Sequence, residues 1–172
     1  MRRRVAPTAA LTCLALVCAV AAAACDGSGD APTVESYFAD LQALDDGQQE
    51  ASEALAAELA ALGRLDVAGG VDITHRQNDL RQTFVDHVED IETPDEVAAL
   101  HDETVTSLHG EIDAYQAFIE EAEDASTLED LLVLLPKFDN EAVAAAQTAC
   151  TALETYAATK SIDLDLDCSE PP

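Results

Sequence analysis

The sequence predicts an all-α fold: an antiparallel bundle of about four helices, the last one interrupted near Pro136, with an extended C-terminal tail. Three observations predict it. Apolar residues recur at spacings of three and four along most of the chain, as on the buried face of an amphipathic helix. Glycine, proline and capping residues divide this pattern into segments with short loops, which favours antiparallel neighbours. Alternation with the period of a β-strand occurs only in the run 161–168, SIDLDLDC.

A glycine-rich segment separates the first two helices. The first helix is predicted from Val34 to Leu62, with Gly63 as its C-cap. The paired glycines of segment 66–70 predict a loop, because such pairs interrupt regular structure. The second helix then presents a mostly apolar face with helical spacing, formed by Ile73, Gln77, Leu80, Phe84, Val88 and Ile91.

The third helix follows a tight turn. Thr93 is a predicted N-cap, Pro94 suits the first helical position, and Glu96 completes a capping box. The apolar face of this helix runs from Val97 to Ala122 and includes His101. We therefore expect this histidine to be a hydrogen-bonded core residue.

The last helix is interrupted. Ser126 and Glu129 form a second predicted capping box, which opens a short apolar helix at 128–135. Pro136 stops or kinks this helix, because proline has no N–H to donate. A final stripe, rich in alanine, runs from Phe138 to Tyr156.

The N-terminus has the pattern of a secretory signal peptide. Residues 1–4, MRRR, are basic, residues 9–24 carry no charge, and small residues precede Cys25. The uncharged run is shorter than the stretch of about 20 residues that spans a membrane. We expect residues 1–24 to be the signal peptide. The segment 25–32, CDGSGDAP, then consists of a lipidated cysteine and a flexible tether.

The run 22–25, AAAC, resembles the lipobox of bacterial lipoproteins. This resemblance implies that Cys25 is diacylated, becomes the first residue of the mature chain and anchors it to the extracytoplasmic face of the cell membrane. Cleavage by an ordinary signal peptidase is the alternative and would release a secreted protein. The remaining layout, acidic helices followed by a cysteine pair, is similar to small helical lipoproteins of bacteria.

The size and charge of the mature chain limit its function. Residues 33–168 suffice for a single domain with one moderate core, and residues 169–172 are expected to be a disordered tail. After loss of the signal peptide, five basic residues remain against 35 acidic ones, a net charge of −30. This surface repels phosphate backbones, so no nucleic-acid partner is expected. The acidity is interpreted as a solvated surface, with attraction of cations or basic partners as the alternative.

The cysteines predict one disulfide. Cys13 and Cys18 leave with the signal peptide, and Cys25 takes the lipid. Cys150 and Cys168 remain, an even pair in an exported protein, where the surroundings are oxidising. We expect them to be bonded to each other.

The alternating run 161–168 has two interpretations. Its three aspartates have the spacing that opens a calcium loop, but the glycine and the bidentate glutamate of such a loop are missing, which excludes an EF-hand and leaves only a looser cation site. Alternation instead places three aliphatic residues on one side of an extended segment. We expect the disulfide to hold this tail over an apolar groove of the bundle. The aliphatic residues are Ile162, Leu164 and Leu166.

No motif for catalysis is present in the sequence. It lacks the nucleophile elbow of hydrolases, a His-Glu-x-x-His helix and a phosphate-binding glycine loop. We therefore expect neither an enzyme nor a cofactor. Two pairs with i, i+4 spacing are weak candidates for a metal site: His75 with Asp79, and His109 with Asp113. Exposed contacts between imidazole and carboxylate are the commoner explanation for such pairs.

Two functions are compatible with these features. The first is a membrane-anchored helical scaffold or protein-interaction module that binds another envelope protein. The alternative is a module that binds a cation or a small ligand at the cell surface.

Overall fold

Five α-helices make up most of the described chain. The computed structural model describes residues 31–61, 67–134, 136, 138, 140–166 and 168. The helices are α1 (Val34–Ala61), α2 (Val67–Glu89), α3 (Ala98–Glu123), α4 (Leu128–Leu134) and α5 (Asn140–Thr159). These residues contain no β-strand, so the predicted all-α class is confirmed. Four predictions concern residues outside the described ranges: the signal peptide 1–24, lipidation of Cys25, the C-cap at Gly63 and the disordered tail 169–172.

The helix α3 is the one with the most neighbours. It contacts α2, α4 and α5, while α2 also contacts α1. The buried core cluster combines residues from α1, α2, α5, the turn before α3 and the C-terminal tail. Its members are Val34, Tyr37, Phe38, Leu41, Val88, Val97, Leu153, Ala157 and Leu166. None of the described helices is long and apolar enough to cross a membrane.

The start of α1 is fixed by a reciprocal cap. The Ser36 amide donates to Thr33 Oγ1 at 3.1 Å, and the Thr33 amide donates to Ser36 Oγ at 3.0 Å. These bonds satisfy amides that the first turn of a helix otherwise leaves without partners. The cap orients the first turn, so that Tyr37 and Phe38 enter the core.

The helix α2 begins earlier than the sequence indicates. Segment 66–70 is predicted as a loop, but Val67–Gly70 belongs to α2, and that prediction is wrong for these four residues. Each glycine costs a helix interior about 1 kcal/mol relative to alanine. Packing outweighs this cost, because Ile73 in the following turn is buried. The Thr74 hydroxyl also donates to the carbonyl oxygen of Gly70 at 3.0 Å.

The capping box predicted before α3 is not formed. The Thr93 hydroxyl donates to the carbonyl oxygen of Ile91, and α3 begins at Ala98 without a side-chain cap. A turn between Pro94 and Val97 precedes the helix, with a backbone hydrogen bond of 3.0 Å. This turn buries Val97 completely, and burial of that side chain is favoured over the cap.

The cap of α4 lies one residue later than predicted. Asp130 Oδ2 accepts hydrogen bonds from the amides of Ser126 and Thr127, and the Asp130 amide donates to Thr127 Oγ1. The Thr127 hydroxyl and these amides hold the pKa of Asp130 below its usual value. The helix ends at Leu134 and α5 begins at Asn140, so the predicted break near Pro136 is present.

The chain reverses direction at the end of α5. The Ile162 amide donates to the carbonyl oxygen of Ala157, and the Ser161 amide donates to that of Ala158, both at 3.0 Å. This pair of bonds is a Schellman motif, which requires a left-handed residue at its centre. Ser161 takes that role with a φ of 62°, where glycine is the usual residue. The motif turns the chain into the tail that follows.

The tail is bonded to both α1 and α5. The Gln42 side chain donates to the carbonyl oxygen of Asp165 at 2.9 Å and accepts from the Asp165 amide at 3.0 Å. The Leu166 amide donates to Glu154 Oε1 at 3.0 Å. Leu166 is buried, Ile162 and Leu164 are half-buried against the core, and Asp163 and Asp165 are exposed. The alternating run therefore lies as an extended tail against the core, as the sequence predicts.

The predicted disulfide is confirmed. Cys150 of α5 and Cys168 of the tail are bonded, with their Cα atoms 5.5 Å apart and a sequence separation of 18. The bond fixes the tail to α5 just beyond Leu166. The loop that this bond closes contains the Schellman motif at the end of α5.

We expect Cys168→Ser to lower the melting temperature by roughly 10 °C. A cross-link of this loop length contributes about 3 kcal/mol in the chain-entropy model. For a domain of this size, 1 kcal/mol corresponds to roughly 3 °C. Thermal unfolding followed by circular dichroism measures the change. Cys150→Ser should lower the melting temperature by the same amount. The double variant should lower it no further, because all three variants remove the same bond. Additive decreases, or an unchanged melting curve, would contradict the stabilising role of the disulfide-bonded tail.

Candidate functional site

A cavity of about 190 Å³ lies between α1, α2, α3, α5 and the C-terminal tail. Its walls are largely apolar and come from different elements. Val85 and Val88 belong to α2, Ile112 to α3, Leu153 to α5 and Leu166 to the tail. All five side chains are buried. The cavity therefore occupies the interior of the helical domain.

Two buried charged residues line this cavity. Arg81 of α2 and Glu111 of α3 are each only 9% exposed, and Arg81 Nε lies 3.5 Å from Glu111 Oε1. The guanidinium carbon of Arg81 also lies 3.9 Å from the centre of the Tyr115 ring, a cation–π contact. The ion pair and the ring fix the guanidinium against α3.

One donor of this guanidinium remains unused. Arg81 Nη1 is buried and has no hydrogen-bond partner among the described residues. Thr104 also lines the cavity, but its hydroxyl hydrogen is donated to the carbonyl oxygen of Leu100 at 2.8 Å. A buried donor without a partner typically costs a fold 1–3 kcal/mol or more.

Burial changes the acid–base properties of this site. Removal from water raises the pKa of the Glu111 carboxyl, and the nearby charge of Arg81 opposes that rise. Burial likewise raises the pKa of Tyr115, again opposed by Arg81. The guanidinium is the one group of the site that keeps its charge under all ordinary conditions.

The cavity reaches the surface between α1 and α5. Four half-buried side chains line this part of it: Asp45 and Gln48 of α1, and Val143 and Gln147 of α5. The disulfide lines the neighbouring wall. The site is thus an apolar chamber with a polar rim and a single buried cationic donor. That composition is typical of pockets for small molecules.

The weak metal candidates pair with glutamates of neighbouring helices. His75 Nε2 lies 3.0 Å from Glu123 Oε1, and His109 Nε2 lies 2.6 Å from Glu89 Oε1. Both histidine side chains are about 40% exposed. The i, i+4 partners predicted for them, Asp79 and Asp113, are exposed. Nowhere in the described ranges are three or more His, Cys, Asp or Glu side chains grouped so that they could hold a metal ion.

His101 is the core histidine that the sequence predicts. It is buried, and its Nδ1 lies 3.3 Å from the Tyr37 hydroxyl. The two rings also meet edge to face, with centroids 5.8 Å apart. Burial raises the pKa of Tyr37 to about 12.

The sequence pattern missed the site because the buried face of α2 is shifted in its middle part. Ile73 and Val88 are buried as predicted, but Leu80 and Phe84 are only half-buried. Residues adjacent to predicted positions are buried as well: Asn78, Arg81 and Val85. Val85 and Val88 lie four and seven positions after Arg81, which is the spacing of one helical face. The polar residues on this face, Asn78 and Arg81, conceal that pattern in the sequence.

We expect the buried ion pair to behave differently from an exposed one. Glu111→Leu should destabilise the chain by roughly 3 kcal/mol or more, because it leaves a buried guanidinium that cannot lose its proton. Arg81→Met should cost less, because Glu111 can take up a proton. The double variant should recover most of the loss. Urea unfolding at pH 7 measures all three variants.

The exposed pair Arg76–Glu58 is the matched control for this cycle. Its nitrogen–oxygen distance is only 2.7 Å, but both side chains are about half exposed. Arg76→Met and Glu58→Leu should each cost much less than the changes in the buried pair, because water screens an exposed ion pair. Equal losses from the buried and the exposed pair would show that burial of Arg81 has no energetic consequence.

We expect the fold to lose stability in alkali because the pKa of the Tyr37 hydroxyl is raised. The pKa of Tyr37 is about 12 in the fold and about 10 in the unfolded chain. The folded state therefore keeps the proton longer, and stability present below pH 10 is lost as the pH rises from 10 towards 12. In urea unfolding at pH 8 and pH 11.5, the original chain should lose roughly 2 kcal/mol more than Tyr37→Phe. Parallel losses in the two chains would contradict this role.

No protein-family model, no curated protein and no solved structure matches this chain. The function is therefore inferred from the geometry of the chain itself.

Proposed function

We propose that this chain is a non-enzymatic module that binds a small, mostly apolar ligand inside a helical bundle at the cell surface. The observation that carries the proposal is the cavity of about 190 Å³ with its apolar walls. An engineered cavity of about 150 Å³ lined by similar side chains binds benzene in another protein. The cavity described here is large enough for a molecule of that kind.

The apolar wall of this cavity is incompletely packed. The cavity opens to the surface between α1 and α5, so water can enter it. A ligand that displaces this water gains free energy in proportion to the apolar area that it covers. This expected gain supports a binding role.

A cation is a poor occupant of this cavity. Of its two acidic lining residues, Glu111 is already paired with Arg81, and Asp45 lies at the rim. Among the described residues, no three His, Cys, Asp or Glu side chains are grouped so that they could hold a metal ion. The acidic surface can still attract cations in a loose and general way. A small ligand is therefore favoured over a cation for this site.

We infer that α1, α2, α3 and α5 form an antiparallel four-helix bundle around the ligand. Contacts between opposite ends of successive helices support this arrangement. Glu58, near the end of α1, pairs with Arg76 in the first half of α2, and His75 pairs with Glu123 at the end of α3. Tyr115 in the second half of α3 packs on Phe138, just before α5.

The proposed location follows from the N-terminal sequence. The run before Cys25 resembles a lipobox, so a lipid on this cysteine would hold the domain on the extracytoplasmic face of the membrane. The strongly acidic domain would be repelled by an anionic membrane surface. The lipid would then provide the attachment, and the tether would keep the domain in solution.

Protein interaction is a second candidate, favoured by α4. Leu132 is 56% exposed and Val133 is 61% exposed. Among the residues that the structure describes, no other large hydrophobic side chain is exposed. An envelope protein with an apolar surface could contact them. The patch is small, so the cavity carries the first proposal.

Ethylbenzene should bind to the full chain and not to a variant with a filled cavity. Ala146 is buried and lines the cavity, so Ala146→Leu should weaken binding at least tenfold by occupying the space. Ala144→Leu, on the exposed side of the same helix, should bind as the original chain does. Titration followed by NMR chemical shifts measures this, with melting curves to show that both variants fold. Absence of saturable binding to the original chain would contradict the proposal.

Lipid attachment can be tested in a bacterial host. The full chain should appear in the membrane fraction and incorporate labelled fatty acid, and Cys25→Ser should do neither. Cys18→Ser, which lies in the predicted signal peptide, should stay membrane-bound. Release of Cys25→Ser and the original chain to the same extent would indicate ordinary signal-peptide cleavage and a secreted protein.

A further inference from the structure

We propose that the disulfide between Cys150 and Cys168 is a site of thiol–disulfide exchange, at which an external dithiol releases the C-terminal tail and opens the wall of the cavity. The regulation of ligand binding that follows rests on the proposed function. Release of the tail itself depends only on the contacts that hold the tail in place.

The tail takes the place of a direct contact between α1 and α5. The helix α1 packs on α2, and α5 packs on α3, but backbone contacts across the seam between α1 and α5 are few. At one end of this seam Phe38 of α1 meets Tyr156 of α5, with ring centroids 6.2 Å apart. The tail comes next along both helices, and beyond it the cavity reaches the surface. The tail therefore separates the aromatic contact from the mouth of the cavity.

Few non-covalent bonds hold the tail in the seam. The Gln42 side chain forms two hydrogen bonds with the backbone of Asp165, and Glu154 accepts one from the Leu166 amide. Among the described tail residues, Leu166 alone is buried. Fixing the backbone of one residue typically costs at least as much free energy as one such hydrogen bond returns. The tail therefore depends strongly on its covalent bond to stay in place.

Electrostatic repulsion favours release once that bond is broken. Neither Asp163 nor Asp165 forms an ion pair with another described residue. The described lysine and arginine residues are each paired with a glutamate elsewhere. The net charge of the whole chain is −27, so a tail that carries aspartates is repelled by the rest of the protein.

Neither cysteine of the disulfide is fully enclosed. Cys150 and Cys168 are both half-buried, and both line the cavity that opens to the surface. A thiolate of the dithiol attacks one sulfur, forms a mixed disulfide with that cysteine and releases the other cysteine as a thiolate, which takes up a proton. The second thiol of the reductant then attacks the mixed disulfide. The reductant leaves as an internal disulfide, and two electrons and two protons have passed from it to the protein.

Release of the tail changes the cavity. Leu166 and Cys168 leave its wall, so the mouth extends along the seam towards Phe38. An apolar molecule in the cavity loses the contacts that it made with the tail. Its binding weakens in proportion to the apolar area that becomes exposed to water. Reduction of one bond thereby regulates the site.

Hydrogen exchange followed by NMR tests the release in the full, disulfide-bonded chain. With millimolar dithiothreitol and no denaturant, alkylation and peptide mapping should find both Cys150 and Cys168 modified. The amides of Asp165 and Leu166 should then exchange at least tenfold faster, because their acceptors no longer hold them. The His101 amide, which donates to the carbonyl oxygen of Val97 at the start of α3, should keep its protection.

The double variant Cys150→Ser, Cys168→Ser is the matched control. Its tail amides should exchange as fast as those of the reduced chain, and dithiothreitol should have no further effect. Cysteines that stay bonded in the folded chain would overturn the exchange site. Unchanged protection of Asp165 and Leu166 after reduction would show that non-covalent contacts hold the tail. Loss of protection at His101 as well would show that the bond stabilises the whole fold and does not act on the tail alone.

Ethylbenzene titration of the oxidised and reduced chains separates this inference from the proposed function. Reduction should weaken binding at least fivefold, because part of the cavity wall leaves with the tail. Equal affinity in the two states would overturn regulation of the cavity. Absence of binding in both states would overturn the proposed function and the regulation together, whereas release of the tail is decided by hydrogen exchange alone.

Discussion

The contact between the C-terminal tail and the two helices it joins, α1 and α5, is the interaction on which the rest of the structure depends. Gln42 pairs with the backbone of Asp165 much as a neighbouring strand would, and Leu166 enters the core cluster beside it. The disulfide to Cys150 then prevents the tail from leaving. Leu166 and Cys168 are also part of the cavity wall. The same contact therefore completes the core and encloses the candidate site.

The candidate site places costly features together in one part of the core. A buried ion pair and a buried donor without a partner each reduce stability, and the incompletely packed cavity wall lacks apolar contacts. A core built only for stability would fill this space with apolar side chains. Arg81 and Glu111 instead come from different helices and meet beside the void. Their joint position is the strongest argument that the cavity has a use.

The sequence predicted those parts of the structure that depend on local pattern or on simple counting. The all-α class, the disulfide, the buried position of His101 and the alternating tail are of this kind. The paired glycines of segment 66–70 led to a wrong prediction of a loop there, because tertiary packing outweighs their low helix propensity. Arg81 was missed because an arginine on a helix resembles any surface residue until its partner on another helix is known. A void leaves no signature in residue spacing at all.

The pairing of Gln42 with Asp165 joins residues 123 positions apart. During synthesis the first helix emerges long before the segment that completes its packing. Contacts between distant parts of a chain slow folding, because much of the chain must be ordered before they form. The nascent protein should therefore remain incompletely packed until the segment that contains Asp165 leaves the ribosome. If the chain is exported, this delay has a use, since the export machinery would receive a chain that has not yet closed.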